Sequence, residues 1–465
     1  MKTPEHILTT LKEIVGRKGW TNDEDKIENH ITEWRGMWRG YCDIVISPVN
    51  TEEVSSVIKV CNASGIPVTP QGGNTGLVGA AVPEGGVLIS LNRLNRIRDI
   101  DIHNNTITVD AGCVLNEIQI AAENVERFFP LSLGAEGSCQ IGGNLSTNAG
   151  GIRVLRYGNA RDLVLGLEVV LPDGRIWNGL RALRKDNTGY DLKHLFIGAE
   201  GTLGVITAAV LKLFPCQKDC KTALIAMDSP KEALKLMKII ETEANDDLSS
   251  YEILNRESME LVLSQTSELI YPFNNLHNWY ALVELTSPTR IEQELESILS
   301  NAFKDKLIND AVIANNKSQA INFWKIREAI PIYQSKLGAS IKHDISVPVS
   351  KVPEFLHLAI QLVREKVPEI KVIAFGHLGD GNIHFNLSQP PTKEVDAFLN
   401  ERPSLNHLVY EIAAKLGGSF SAEHGIGKLK RNEMHHYCSK TEIRVMQKLK
   451  ENIDPKGTMN PNKIL

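Results

Sequence analysis

Two histidines, His377 and His384, flank Asp380-Gly381 in the run Gly376-His-Leu-Gly-Asp-Gly-Asn-Ile-His384. Asp-Gly is a strong signal for a two-residue hairpin turn. Folded about that turn, residues 371–387 form a hairpin in which 379 faces 382, 378 faces 383 and 377 faces 384. The two imidazoles then stand opposite each other on one face, with Cβ atoms about 5 Å apart. Phe375 and Asn386 share that face, because strand side chains alternate with period two. Such a pair can hold one divalent metal if a third ligand and an open position are supplied; two buried, hydrogen-bonded histidines are the plainer alternative. Glu423, in the glycine-flanked motif Glu423-His-Gly-Ile-Gly427, is a candidate third ligand, with His424 beside it. Two histidines and one carboxylate suit Zn²⁺, Mn²⁺ or Fe²⁺ without choosing between them.

The 35 glycines are not spread evenly but cluster at 72–79, 134–151, 198–204, 376–381 and 417–427. The loop Pro70-Gln-Gly-Gly-Asn-Thr-Gly-Leu-Val-Gly79 follows a strand pattern, and its side-chain-free positions let backbone N–H groups point at an anion. It matches neither G-x-G-x-x-G nor G-x-x-x-x-G-K-[ST], so neither a Rossmann nor a Walker site is indicated. A second loop, Gly137 to Gly151, and a third, Gly198-Ala-Glu-Gly-Thr-Leu-Gly-Val-Ile-Thr207, are equally poor in bulk. Three such loops suit a long ligand with a diphosphate at one end. Two cations remain to be placed, Arg327 and Lys342. They are either surface charge or a carboxylate clamp, with Arg supplying fork geometry and Lys a point charge.

These groups need a scaffold, and hydrophobic periodicity supplies one. Residues 4–16 read as an amphipathic helix, 43–47 as a strand, and 51–64 as a helix opened by Thr51 with acids in its first turn. Strands follow at 66–70, 86–91, 106–110 and 164–171. After Phe214-Pro215 the character changes. Strands at 222–228 and 278–286 are separated by a helical stretch 230–264, and helix 318–338 and strands 341–347 and 371–387 follow. In strand 341–347, Ile341, His343, Ile345 and Val347 alternate with Lys342, Asp344 and Ser346, so Lys342 points away from the apolar face. A helix pair at 403–416 and 439–451 and a Pro/Gly-rich end close the chain. The first ~215 residues thus mix strands and helices around glycine loops, and an α+β domain with an antiparallel sheet comes after them.

With 465 residues, the chain is long enough for about two or three domains. Its 51 Lys and Arg against 56 Asp and Glu leave a net charge of −5, and no basic block of five or more occurs, so nucleic-acid binding has no support. No apolar stretch approaches the ~18 residues of a membrane span. The N-terminus lacks a signal-peptide core, and Glu5 and Glu13 argue against a transit peptide. Seven scattered cysteines read as free thiols in a reducing compartment, and a cytoplasmic enzyme is expected.

Taken together, the loop 70–79, the run 131–151, Tyr157-Gly158, Leu171-Pro-Asp-Gly174, the loop 198–207, the histidine hairpin, the Glu423-His424 motif and Asn460-Pro461 resemble the FAD-linked D-2-hydroxyacid dehydrogenases of the vanillyl-alcohol-oxidase type. The resemblance covers nearly the whole chain. It implies an α+β fold with a two-subdomain FAD-binding domain at 1–215, a substrate-binding cap with an antiparallel sheet at 216–418, and a segment 419–465 returning to the FAD domain. It implies that FAD is lined by Pro70, Gln71, Gly72, Gly73, Asn74, Thr75, Gly76 and Leu77, with Gly72 to Leu77 at the diphosphate. From the second loop it implies Leu133, Gly134, Ala135, Ser138, Gly142, Gly143, Asn144, Thr147, Asn148, Gly150 and Gly151, followed by Tyr157 and Gly158. Glu200, Gly204, Val205, Ile206 and Asn460 complete the lining. Many members attach FAD through a histidine in the first loop; Asn74-Thr75 stand here instead, so dissociable FAD is expected.

By the same resemblance, His377, His384 and Glu423 bind a divalent metal, zinc first, and Asn386 lies beside the substrate. His424 is the general base, taking the proton of a metal-bound hydroxyl while the Cα hydride passes to flavin N5. Arg327 matches an arginine shared across the branch, and Lys342 a lysine of the members that oxidise D-2-hydroxyglutarate. That acid is the expected substrate, with D-malate and D-lactate next. Members acting on it carry a threonine four residues after the arginine; Pro331 stands here, which removes a hydroxyl and would kink the helix. The expected electron acceptor is electron-transferring flavoprotein or a quinone or cytochrome carrier, and a homodimer is the base-rate assembly. Two other classes stay open on sequence: a metal-dependent hydrolase, which leaves the glycine loops unexplained, and a non-catalytic subunit of a flavin complex.

Overall fold

The computed structural model describes residues 2–287 and 291–465, apart from the side chains of Asn245 and of residues 292–294. Two compact units divide it. The first comprises Met1–Gly151, Gly158–Cys216 and Glu423–Leu465, and the second Ile152–Tyr157 and Gln217–Ala422. The short stretch 152–157, which contains Tyr157, packs with the second unit although it lies within the first half of the chain.

The first unit holds two larger sheets and a two-stranded one, Arg127–Phe128 with Phe214–Pro215. A four-stranded sheet runs in the order Trp20–Thr21, Ile44–Ile46, Val87–Ser90, Val68–Gln71. Its last three strands are parallel, as the buried Ile-Val-Ile and Val-Leu-Ile runs suggest. The crossover helix Thr51–Ser64 starts under Asn50, whose side chain accepts from the Glu53 N–H at 2.8 Å, and ends at Gly65 in the left-handed region. A five-stranded antiparallel sheet has the order Ile97–Asp101, Thr106–Asp110, Val205–Lys212, Val164–Val170, Ile176–Gly179. The C-terminal segment returns to the parallel sheet. There Val68 donates to the Thr458 carbonyl at 2.8 Å and accepts from the Asn460 N–H at 2.8 Å.

The second unit is built on one seven-stranded antiparallel sheet. Its strand order is Asp310–Ile313, Asp219–Met227, Trp279–Ser287, Leu248–Asn255, Lys371–His377, Asn382–Ser388, Ser340–Ser346. Helices Arg256–Gln265 and Lys317–Gln334 cover one face through Leu261, Val262, Phe323, Ile326 and Ile330. The opposite face turns Tyr251, Phe385 and His343 toward helices 230–243, 352–366 and 402–415. Tyr251 there donates to the Ala233 carbonyl, and Phe385 meets Phe355 edge-on.

Two departures from the sequence expectation bear on the site. The stretch 230–264 is not one helix: helix Pro230–Glu243 is followed by strand Leu248–Asn255 and helix Arg256–Gln265. The strand is central and all eight of its residues are buried. A fully buried strand loses the alternation by which strands are recognised. The hairpin register also differs. The turn spans four residues, 378–381, with the Gly381 N–H bonded to the His377 carbonyl at 3.1 Å. His377 therefore pairs with Asn382 and Phe375 with His384, a shift of two from the expected pairing. The even shift leaves every side chain on its expected face, so the histidines are diagonal rather than opposed, with ring centroids 5.7 Å apart.

Candidate functional site

Register gathers the polar groups of the second unit on the sheet face under helix Lys317–Gln334. Glu252 pairs with His377, His377 with Asn382, Asp344 with His384, and Lys342 with Asn386. Four adjacent strands thus carry Glu252, His377, Asn382, His384, Asn386, Asp344 and Lys342 as one polar stripe. Of these, Lys342 is the exposed residue. Arg327 comes down onto the stripe from the helix, which continues through Pro331 to Gln334.

Arg327 is not surface charge. It is 8% exposed, its Nε donates to Glu252 Oε2 at 2.8 Å, and its guanidinium lies 4.9 Å over the Phe375 ring. Glu252 is fully buried, and its other oxygen meets His377 Nδ1 at 2.5 Å. Burial alone would raise the Glu252 carboxyl pKa. His377 and the Arg327 guanidinium, with their hydrogen bonds, outweigh that and lower it. His384 stands with Nδ1 3.8 Å from Asp344 Oδ1, and Asn382 donates to that same Asp344 oxygen at 2.9 Å. Asn386 donates to Gln334 Oε1 at 2.9 Å, and Gln334 donates to Ser388 Oγ at 3.0 Å. The buried Asn386 Oδ1 has no hydrogen-bond partner among the described residues.

In the first unit the glycine loops lie against one another. A Cβ on Gly73 would fall 2.1 Å from the Ser138 carbonyl, and one on Gly142 would fall 2.7 Å from Ala111 Cβ. Gly76, Gly134, Gly137 and Gly143 by contrast face open space. Gln71 and Asn74 are held from behind, donating to the backbone carbonyls of His30 and Ala81 and of Asn29 and Thr32. Arg35 donates to the Leu77 carbonyl. The Thr147 and Ser138 hydroxyls bond within their own loop, and Asn148 accepts from the Arg161 N–H at 2.9 Å. Gly151, at φ +121°, lies against the Ser132 carbonyl and Leu133. Gly158, at φ +76°, fits against Asp162. Gly204 abuts Val169, and Val205 and Ile206 are buried in their strand. Three buried amide oxygens, Gln140 Oε1, Asn144 Oδ1 and Asn460 Oδ1, have no hydrogen-bond partner among the described residues. Open glycine faces beside orphaned acceptors suit a large ligand that brings its own N–H and O–H donors, as FAD does.

Glu200 is tied to the C-terminal segment. It sits at φ +50°, 5% exposed, and accepts from the Ile426 and Gly427 N–H groups at 2.7 Å each. Its carboxylate therefore braces the loop just after Glu423-His424, and Asn460 donates to its backbone carbonyl at 2.7 Å. Burial pushes the Glu200 carboxyl up to about 7, with the two N–H groups pulling the other way. Glu423 Oε1 and His424 Nε2 are 3.7 Å apart.

Glu252, Asp344 and Gln334 went unrecognised as site residues in the sequence. Glu252 left one signal, a lone acid inside the otherwise uncharged run Leu248–Asn255, where a buried charge requires a partner.

Comparison with known proteins agrees with this architecture. Residues 42–179 match the FAD binding domain family, and residues 217–464 match the C-terminal domain of FAD linked oxidases. The chain belongs to the FAD-linked oxidases, in the branch of the FAD-dependent D-2-hydroxyacid dehydrogenases. It is 39% identical to a rice protein named probable D-2-hydroxyglutarate dehydrogenase, mitochondrial, over 98% of this chain and 81% of that one. An Arabidopsis thaliana D-2-hydroxyglutarate dehydrogenase, also named mitochondrial, is 38% identical over the same shares. A Saccharomyces cerevisiae D-2-hydroxyglutarate–pyruvate transhydrogenase is 37% identical over 93% and 88%. Among solved structures, p-cresol methylhydroxylase superposes with a TM-score of 0.77 at 15% identity, covering 99% of this chain and 96% of its own. Alkyldihydroxyacetonephosphate synthase gives 0.75 at 18%, covering 99% and 86%. The vanillyl-alcohol-oxidase-type fold, the FAD cofactor and the oxidation of a hydroxyacid stand on these matches, and the hydrolase and non-catalytic readings fall. The expected cytoplasmic location is corrected: the plant relatives, like those of zebrafish and cattle, are named mitochondrial. Among the described residues, no helix is long and apolar enough to cross a membrane.

Proposed function

We propose that this enzyme oxidises D-2-hydroxyglutarate to 2-oxoglutarate with the help of a divalent metal. The observation that carries the reading is the stripe on the second unit's sheet, where Lys342 and Asn386 stand in register beside His384 and Asp344, with Arg327 above. Two cations on one face fit a dicarboxylate better than a monocarboxylate. When bound, FAD supplies the two-electron acceptor and the metal a Lewis acid at the substrate hydroxyl.

In this reading His377 and His384 hold the metal, with Glu423 as third ligand by family resemblance. The donor set fits, because the Nδ1 of His377 is held by a buried carboxylate, as metal-binding imidazoles commonly are. Arg327 and Lys342 take the two carboxylates. Asn386, anchored by Gln334, meets the substrate between them. His424 takes the hydroxyl proton on a neutral ring nitrogen. FAD is dissociable, since Asn74-Thr75 provide no histidine for attachment. A soluble electron-transferring flavoprotein is the first acceptor to try, and the dimer stays a base-rate proposal.

Lys342→Ala tests the substrate assignment. The KM for D-2-hydroxyglutarate should rise about tenfold or more, the effect of losing one charge-assisted contact, with little change for D-lactate. Equal effects on both acids would remove Lys342 from the distal carboxylate. A relative from Schizosaccharomyces pombe, 34% identical over 99% of this chain, is named putative D-lactate dehydrogenase, which makes that comparison the informative one.

A further inference from the structure

We infer that Glu252 is a positioning residue that fixes the substrate arginine and one metal ligand at once; the inference rests on the roles proposed above for Arg327 and His377. The carboxylate is fully buried on the central strand Leu248–Asn255, and its two oxygens go to two different partners. Oε2 takes the Arg327 Nε at 2.8 Å and Oε1 takes His377 Nδ1 at 2.5 Å.

Two consequences follow from the geometry. An imidazole bonded through Nδ1 to an anion carries its proton there and turns Nε2 outward as the coordinating atom. His377 thereby becomes a ligand of defined tautomer. A guanidinium held through Nε, with its carbon 4.9 Å from the Phe375 ring centre, has its two terminal amino groups as the donors for a substrate carboxylate. Glu252 also balances the Arg327 charge in a buried place, which the helix could not otherwise carry without a partner. Arg327 comes from helix Lys317–Gln334 and His377 from strand Lys371–His377, so this one carboxylate sets the spacing between substrate grip and metal.

The test is Glu252→Gln in the full-length holoenzyme, which keeps the shape and removes the charge. FAD content and the flavin spectrum should stay at the wild-type value, because the glycine loops are untouched. Affinity for Zn²⁺, measured by competition with a chelator, should fall about 10- to 100-fold. The KM for D-2-hydroxyglutarate should rise about tenfold. Wild-type metal affinity together with an unchanged KM would overturn the inference. Should Glu252→Gln fail to fold, Glu252→Asp keeps the charge but cannot reach both partners. It should show both losses in smaller measure, and again neither loss would overturn the role. If the wild-type enzyme turns over without any bound metal, the metal reading fails by itself. Glu252 is then judged on KM alone: a rise supports its hold on Arg327, and no change removes it.

Discussion

At the scale of single residues, the second unit works by giving each buried charge an opposite. Glu252 shows why its sequence signal was weak: one acid in a buried strand says that a partner exists, not which one. Arg327 was legible as a residue with a task, and its burial excludes plain surface charge. Glu200 carries the clearest pH dependence. Its carboxyl moves from 4.5 to about 7 on folding, chiefly through burial. Between those values the folded chain keeps a proton that the unfolded chain has lost, so this group's contribution to stability falls as pH rises from about 4.5 to about 7 and then levels off. The whole effect is about 3 kcal/mol. Glu200→Gln removes the titration, so its melting temperature should gain on wild type as pH rises from about 4.5 to about 7, and the gap should stay constant above that. A gap that does not change with pH would show that Glu200 is ionised throughout.

At the scale of elements, legibility was uneven even where one face is wet: the strand Ile97–Asp101 and the helix Val352–Lys366 were not read from the sequence, whereas others were. The helix Thr51–Ser64 and strand Thr106–Asp110 fall where capping and alternation place them. Reading failed where burial is two-sided, at Leu248–Asn255, and where a turn had competing solutions. Asp380-Gly381 signals a two-residue loop, but Gly381 is needed at φ +82° to close a four-residue turn. The histidines kept their common face only because the register error was even. Gly381 is also confined: a Cβ there would lie 2.1 Å from the Val347 carbonyl, whereas one on Gly417, at φ +77°, would meet nothing within 4 Å. Gly417→Ala should therefore lose about 1 kcal/mol of stability for its backbone alone. Gly381→Ala should lose about 2–4 kcal/mol and most of its turnover, because the turn that carries His377 must move. Similar melting temperatures for the two variants would show that the turn relaxes freely.

At the scale of the whole molecule, the family was legible because its motifs lie along nearly the entire chain, from the loop at 70 to Asn460. The ligand-binding loops are recognisable as loops by glycine content. Their mutual packing, Gly73 on Ser138, was not, since sequence holds no record of which backbones touch. The expected location rested on the composition of the N-terminus and on cysteine usage, and neither carries the relatives' named location. With no histidine in the first loop, FAD should leave the protein on acid or heat denaturation, so that yellow colour stays in solution after the chain is precipitated. Colour remaining with the precipitated chain would show a covalent link.

The most direct test of the central claim is the visible spectrum of the purified enzyme before and after anaerobic D-2-hydroxyglutarate. A flavin band that bleaches on addition of this acid, and more slowly with D-lactate or D-malate, is the predicted result. A flavin band that D-lactate bleaches while D-2-hydroxyglutarate leaves it unchanged would contradict the proposed substrate.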